Sequence, residues 1–242
     1  MIMRPHPKEG TQVQQTPHAL WPPRFKAAIF DFDGTISDTA TIWHEVDRAF
    51  LSSRGLPYTD EYPRMLSSLG FEAGARYTIE TFGLRESVAE VCEEWKRMGR
   101  ALFESHATLR PGVQLYVHAL TERGVRVALA TVNDRDVLKS LRHVDVETLF
   151  EVCVYGGEVA HPKDHPDIYL ETARRLGVEP TDCIVFEDIA TGLRSASSVG
   201  MLTCGVRSFD PVQRVDEVRS AADLWLDDWR DIGPGAAPGP RA

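Results

Sequence analysis

The sequence predicts an α/β fold: a doubly wound, mainly parallel sheet with an α-helical cap domain inserted into it. Three observations predict it. Short apolar runs recur, each ending on a polar or acidic residue; helical patterns alternate with them; and one long stretch has helical character throughout. Runs of four to six apolar residues bounded by turn signals are what strands buried on both faces look like. Strand–helix alternation is the signature of a parallel sheet.

The runs, in chain order, are AAIFD (27–31), VRVALAT (125–131), VCVYG (152–156), CIVFED (183–188), MLTCGV and LWLDD. Among the helices, GVQLYVHALTERG places Val113, Val117 and Leu120 on one face, with Gly124 as its stop. PDIYLETARRLG opens on Pro166, suited to a first helical turn, lines up Tyr169, Ala173 and Leu176, and ends at Gly177. From Ala40 to Leu109 only helical stretches appear, such as TATIWHEVDRAFLSSRG and ESVAEVCEEWKRMGRALFESH. That is too long for an ordinary crossover. The expected organisation is therefore a polar N-terminal tail over 1–24, a core over 25–39 and 110–230, a cap over 40–109, and a Gly/Pro/Ala tail over 231–242.

Composition narrows the function. The 242 residues carry a net charge of −9, the wrong sign for a protein whose main partner is nucleic acid or an anionic membrane. An anionic ligand would need local attraction from a metal ion or a few basic side chains. No apolar run reaches the ~20 residues of a membrane span, and the N-terminus lacks a signal peptide's apolar segment. Cys92, Cys153, Cys183 and Cys204 form no CxxC pair and read as small buried hydrophobes, which suits a reducing, cytoplasmic setting.

In an open α/β sheet, ligands bind beyond the carboxyl ends of the strands. The residues expected there are Asp31 and Asp33, Thr131 and Asn133, and Glu187 and Asp188, with Lys163 arriving from the Pro-broken loop HPKDHPD. Clustered carboxylates repel unless a cation joins them, and oxygen-only ligands favour Mg²⁺. Mg²⁺, one lysine and one hydroxyl together suit a phosphoryl group. Single residues have plainer readings: an Asp at a strand end can be a turn residue, and Trp43 in the cap can be core or a pocket wall. Arg64 and Arg76 read as solvated. His161 and His165, four apart, would suit zinc on a helix, but Pro162 and Pro166 argue for a loop.

The set DFDGT (31–35), Thr131, Lys163 and FED (186–188) resembles the haloacid dehalogenase (HAD) superfamily, in the helical-cap branch related to β-phosphoglucomutase and to sugar-phosphate and phosphoglycolate phosphatases. The resemblance spans roughly Lys26 to Asp228 and includes EVAHPKDHPDIYLETARRLGV and VFEDIATGLRSASSVGM. It implies a phosphohydrolase acting on a small phosphorylated metabolite. Asp31 would be the nucleophile that forms an aspartyl phosphate, and Asp33 the acid and then the base. Gly34 would let the backbone turn beside the phosphate. Thr131 would hydrogen-bond the phosphoryl oxygens, and Lys163 would neutralise them and orient Asp31; Asn133, at the strand end, and Trp43, in the cap, are the further residues expected to bind substrate. Mg²⁺ would sit on Asp31, the backbone carbonyl of Asp33, and Asp188, with Glu187 in support. Dehalogenating members of the superfamily lack an acid at the Asp33 position, so Asp33 favours phosphoryl transfer.

Two positions depart from the family pattern. Asp164 follows the lysine where Pro is common, and is expected to cap the next helix; Ile189 follows the acidic pair where a small Ser is common. Sugar mutases of this branch usually carry a His twelve residues after the nucleophile, where this chain has Trp43, with His44 one position late. A phosphatase is therefore favoured over a phosphosugar mutase. A non-catalytic phosphoacceptor related to receiver domains would share the acids, hydroxyl and lysine, but would have neither the helical insertion nor a use for Asp33. The oligomeric state is not legible in the sequence.

Overall fold

The computed structural model describes residues 17–234. Six strands, β1 (Ala27–Phe30), β2 (Arg126–Thr131), β3 (Val152–Tyr155), β4 (Cys183–Glu187), β5 (Leu202–Val206) and β6 (Leu224–Leu226), form one parallel sheet in the order β3-β2-β1-β4-β5-β6. All six expected runs are strands. The order reverses at β1, so Ile29 pairs with Ala128 on one side and Val185 on the other. That reversal opens a crevice beyond the end of β1.

The helices among the described residues are α1 (Pro17–Leu20), α2 (Ala40–Ser53), α3 (Glu61–Phe82), α4 (Val88–His106), α5 (Val113–Glu122), α6 (Arg135–Leu138), α7 (Val146–Leu149), α8 (Asp167–Leu176), α9 (Ala190–Ser198) and α10 (Val215–Ala221). Alternation along β1 sends Ala28 and Phe30 to one face and Ala27 and Ile29 to the other. The first face packs on α5 through Val113, Tyr116, Val117 and Leu120; the second packs on α8 through Ile168, Tyr169, Ala173 and Leu176. All four cysteines are free thiols: three lie in β3, β4 and β5, and Cys92 in α4.

Helices α2, α3 and α4 build a separate apolar cluster around Val46, Phe50, Leu51, Val91 and Trp95. Helix α4 starts on a capping box between Ser87 and Glu90. Helix α3 is broken at Gly70, whose φ of 71° is left-handed. The two chain crossings between sheet and helices lie side by side: Ser37 bridges Leu109, and the Arg110 amide donates to the Ile36 carbonyl at 2.8 Å.

The terminal segments differ from the expected tails. Leu20 is fully buried, its carbonyl accepts from the Tyr116 hydroxyl at 3.1 Å, and Trp21 meets Tyr116 edge-on. Ile232, at the other end, is also part of the core. Isolated apolar residues in a Pro-rich context carry no periodicity, so their docking was not legible. The rest of both segments, residues 1–16 and 235–242, lies outside the described residues. No described helix is long and apolar enough to cross a membrane.

Candidate active site

The site forms where β1 ends. The Asp31 amide donates to the Phe186 carbonyl at 3.0 Å, which extends the ladder by one residue and fixes Asp31 in the crevice. The chain then turns at Gly34, whose φ is +78°. A Cβ built on Gly34 would lie 2.0 Å from Asp188 Oδ2, so the turn requires glycine for space as well as for conformation. The expected role of Gly34 as a tight turn thus has a definite neighbour: the carboxylate at the end of β4.

Lys163 is almost wholly buried and its ammonium meets both Asp31 and Glu187. Burial opposes its charge, but the two carboxylates overcome this and hold the ammonium above its usual range. Glu187 is saturated. Its Oε1 also accepts from the Tyr169 hydroxyl at 3.1 Å, and its Oε2 from the amides of Asp188 at 2.9 Å and Ile189 at 3.1 Å. That second pair explains the tolerance of Ile189 at the start of α9: its side chain caps nothing, but its amide is already satisfied.

Asp33, half-buried, accepts three hydrogen bonds. Thr39 Oγ1 (2.6 Å) and Trp43 Nε1 (3.1 Å) donate to Oδ1, and Asn133 Nδ2 (3.0 Å) donates to Oδ2. Burial raises the Asp33 carboxyl above the ordinary range despite those donors, which suits a group that must hold and release a proton. Burial likewise pushes Asp31 up to about 7, against the pull of Lys163. Asp188, beside both Glu187 and Asp31, is raised as well, chiefly by burial. Three buried acids with one lysine among them lack positive charge, which a cation would supply.

A divalent cation fits the residues present. Asp31, Glu187 and Asp188 each offer an oxygen within 4.8 Å of the others. With Glu187 engaged by four donors, Asp31 and Asp188 are the carboxylates free to ligate, and the donor set is oxygen-only.

The expected residues therefore meet, though not all in the expected way. Thr131 is buried at the end of β2 and accepts the Asn133 amide at 3.1 Å. Asn133 and Trp43, expected against substrate, line the cavity but also donate to Asp33. Asp164 does not cap α8: the helix begins after Pro166 with no side-chain cap, and Asp164 turns to His165 Nδ1 at 3.3 Å. Pro166 fixes the entry to the helix and leaves Asp164 too early in the chain to reach it. His161 and His165 lie in an exposed loop, where His161 meets Asp167 at 3.1 Å. Arg64 donates to the Val212 carbonyl and Arg76 pairs with Glu72; neither lines the catalytic cavity. Thr39, Tyr169 and Asp47 escaped sequence reasoning. Thr39 follows the motif closely enough to have been suspected, whereas nothing local marks the other two.

The cavity, about 120 Å³, lies between the crevice and the cap. His44 and Asp210 (2.8 Å), Arg64 and the Val212 carbonyl (2.9 Å), and Lys96 and Asp134 (2.8 Å) join the cap to the loops of the sheet domain.

Comparison with known proteins agrees with this arrangement. Residues 28–206 match the family model described as haloacid dehalogenase-like hydrolase. A phosphorylated carbohydrates phosphatase from Thermotoga maritima is 33% identical over 181 residues, covering 73% of this chain and 82% of that protein. The β-phosphoglucomutase of Bacillus subtilis is 29% identical over 211 residues, covering 84% and 92%. The crystal structure of CbbY from Rhodobacter sphaeroides in complex with phosphate superposes with a TM-score of 0.74 at 25% identity, covering 85% of this chain and 95% of that one.

Proposed function

Because the chain belongs to the haloacid dehalogenase-like hydrolase family, we propose that it is a Mg²⁺-dependent phosphatase that hydrolyses a small phosphomonoester, such as a sugar phosphate, through an aspartyl phosphate on Asp31. The observation that carries this reading is Asp33: a carboxyl two residues from Asp31, raised by burial and held by three donors from β1's exit, the cap and the β2 loop.

In the first step an Asp31 oxygen attacks phosphorus while the Asp33 proton passes to the leaving alkoxide. In the second, Asp33 takes a proton from water, whose oxygen attacks phosphorus and frees Asp31. Lys163 holds one Asp31 oxygen and so aims the other, and Thr131 offers its hydroxyl to the phosphoryl group. Mg²⁺ held by Asp31, the backbone carbonyl of Asp33 and Asp188 would neutralise phosphoryl charge.

Hydrolysis is favoured over mutase chemistry by His44. Both its ring nitrogens are engaged, Nδ1 with the Tyr58 hydroxyl at 2.6 Å and Nε2 with Asp210 at 2.8 Å, so it is not free to serve a second sugar hydroxyl. The test is release of phosphate from p-nitrophenyl phosphate and from glucose 1-phosphate, with isomerised product followed in parallel. EDTA and Asp31→Asn are each expected to lower kcat at least about a thousand-fold. Undiminished turnover by Asp31→Asn would refute the mechanism, and isomerisation outpacing phosphate release would refute the phosphatase assignment.

A further inference from the structure

The two oxygens of Asp33 are unequally engaged. Oδ1 is filled by the Thr39 hydroxyl (2.6 Å) and the Trp43 indole (3.1 Å), whereas Oδ2 accepts, among the described residues, from Asn133 Nδ2 alone (3.0 Å). A carboxylate oxygen has two lone pairs, so the proton that Asp33 exchanges belongs on Oδ2. Asn133 therefore sets the direction in which that proton points. Its own orientation is fixed from behind: the Asp134 amide donates to Asn133 Oδ1 at 2.8 Å, which leaves Nδ2 facing Asp33. A backbone N–H donates and never accepts, so the carboxamide turns over only by losing both bonds.

Asp134 is held in turn by both of its carboxylate oxygens. Oδ1 accepts the Asp136 amide at 2.9 Å and so caps α6, and Oδ2 meets Lys96 Nζ at 2.8 Å. Lys96 belongs to α4, in the cap, where its ammonium also lies 5.8 Å from the Phe71 ring centroid and 3.7 Å from Glu93. A continuous run of contacts thus leads from the cap to the acid: Lys96, the Asp134 carboxylate, the Asp134 amide, Asn133 and Asp33 Oδ2. The other ties between cap and sheet domain end elsewhere, Arg64 on the Val212 carbonyl and His44 on Asp210.

We propose that Lys96 and Asp134 are positioning residues for the general acid: paired across the cap and the β2 loop, they fix Asn133 and through it aim the Asp33 proton at the leaving oxygen. The inference rests on the phosphatase reading and deepens it. Neither side chain touches the reacting atoms. Losing the pair leaves Asp33 on Thr39 and Trp43 but frees Oδ2 to swing with Asn133, and a misplacement of about 1 Å costs up to about a hundred-fold in rate. The cost falls on proton transfer, so it grows with the basicity of the leaving oxygen. p-Nitrophenolate leaves readily as the anion, whereas a more basic phenolate or an alkoxide needs the proton.

The experiment measures kcat/KM of the Mg²⁺-loaded full chain across substituted phenyl phosphates of rising leaving-group basicity, from p-nitrophenyl to unsubstituted phenyl phosphate. kcat/KM covers the steps through departure of the alcohol, so it separates Asp33 as acid from its later use as base. In Lys96→Met and in Asp134→Asn, phenyl phosphate is expected to lose about ten-fold more than p-nitrophenyl phosphate. The double variant should lose no more than either single one, since the two act as a unit. Lys96→Arg, which keeps the charge, should hold the wild-type ratio. Asp134→Asn retains an oxygen to cap α6, so it removes the ion pair and spares the turn. Arg64→Met loosens the cap elsewhere and should leave the ratio at its wild-type value. An unchanged ratio in Lys96→Met and Asp134→Asn, or an equal fall in Arg64→Met, overturns the proposal. Should one of the two variants not fold, the other decides with Lys96→Arg beside it. Turnover of phenyl phosphates with a ratio indifferent to these changes defeats this inference alone; no turnover of any phosphomonoester defeats the phosphatase reading beneath it.

Discussion

Asp31 and Asp33 differ in what surrounds them rather than in what they are. Asp31 meets a buried ammonium, while Asp33 meets neutral donors from Thr39, Trp43 and Asn133. The acids themselves stand out in the sequence as an unusual ending to an apolar run, but the donors that set Asp33 apart come from 6, 10 and 100 residues away. Asp47 shows the energetic side of the same environment. Burial pushes its carboxyl up to about 7, so the folded protein holds its proton more tightly than the unfolded chain does. Its neutral form is tolerated at acid pH, and stability is lost as pH rises from the ordinary carboxylate range through 7. Asp47→Asn removes that loss. Relative to wild type it should gain on the order of 4 kcal/mol between pH 4 and pH 8, read as the difference in urea midpoints. An equal gain at both pH values would show that Asp47 ionises freely.

At the scale of elements, the strands were legible because runs such as CIVFED and VRVALAT are apolar on both faces, and the sheet buries both. Helix α4 was legible from its helical run ESVAEVCEEWKRMGRALFESH, whereas its Ser87–Glu90 box emerged with the structure. The break in α3 was not. Gly70 reads locally as a weak helix residue, but its left-handed φ turns the chain so that a Cβ there would lie 3.5 Å from the Val132 carbonyl and 3.6 Å from Pro162. The break carries α3 across the loops that flank Thr131 and Lys163. Gly70→Ala should leave room enough for its methyl but strain the backbone by about 1–2 kcal/mol. The expected result is a lower Tm and a raised KM for the phosphomonoester, with the metal requirement intact; an unchanged KM would separate the break from the site.

For the whole molecule, the central problem is how the cap is held over an acidic crevice. Arg110, buried where the chain re-enters the sheet domain, donates to the carbonyls of Gly34 (3.2 Å), Thr35 (3.3 Å) and Arg207 (2.7 Å) and meets Asp38 at 3.3 Å. It thereby ties the catalytic turn, both chain crossings and the loop after β5 into one unit. Arg110→Met keeps the bulk and leaves three carbonyls without this donor, so a loss of about 2–4 kcal/mol is expected in chemical denaturation. Turnover should fall with it, since the Gly34 turn loses its support. Full activity in a destabilised Arg110→Met protein would confine the residue to folding.

By itself the sequence determined the sheet, the helical insertion and the identity of the acids and lysine at the strand ends, because strand burial and motif spacing are local patterns. Tertiary structure alone decided which donors hold Asp33, that Glu187 is saturated by Tyr169, Lys163 and two amides, and that Asp47 is buried in the wall of the cavity. It also decided that Leu20, Trp21 and Ile232 dock on the core. Hydrogen bonds across such separations, and the burial of isolated residues, depend on where distant segments meet, and no periodicity in the chain encodes that meeting.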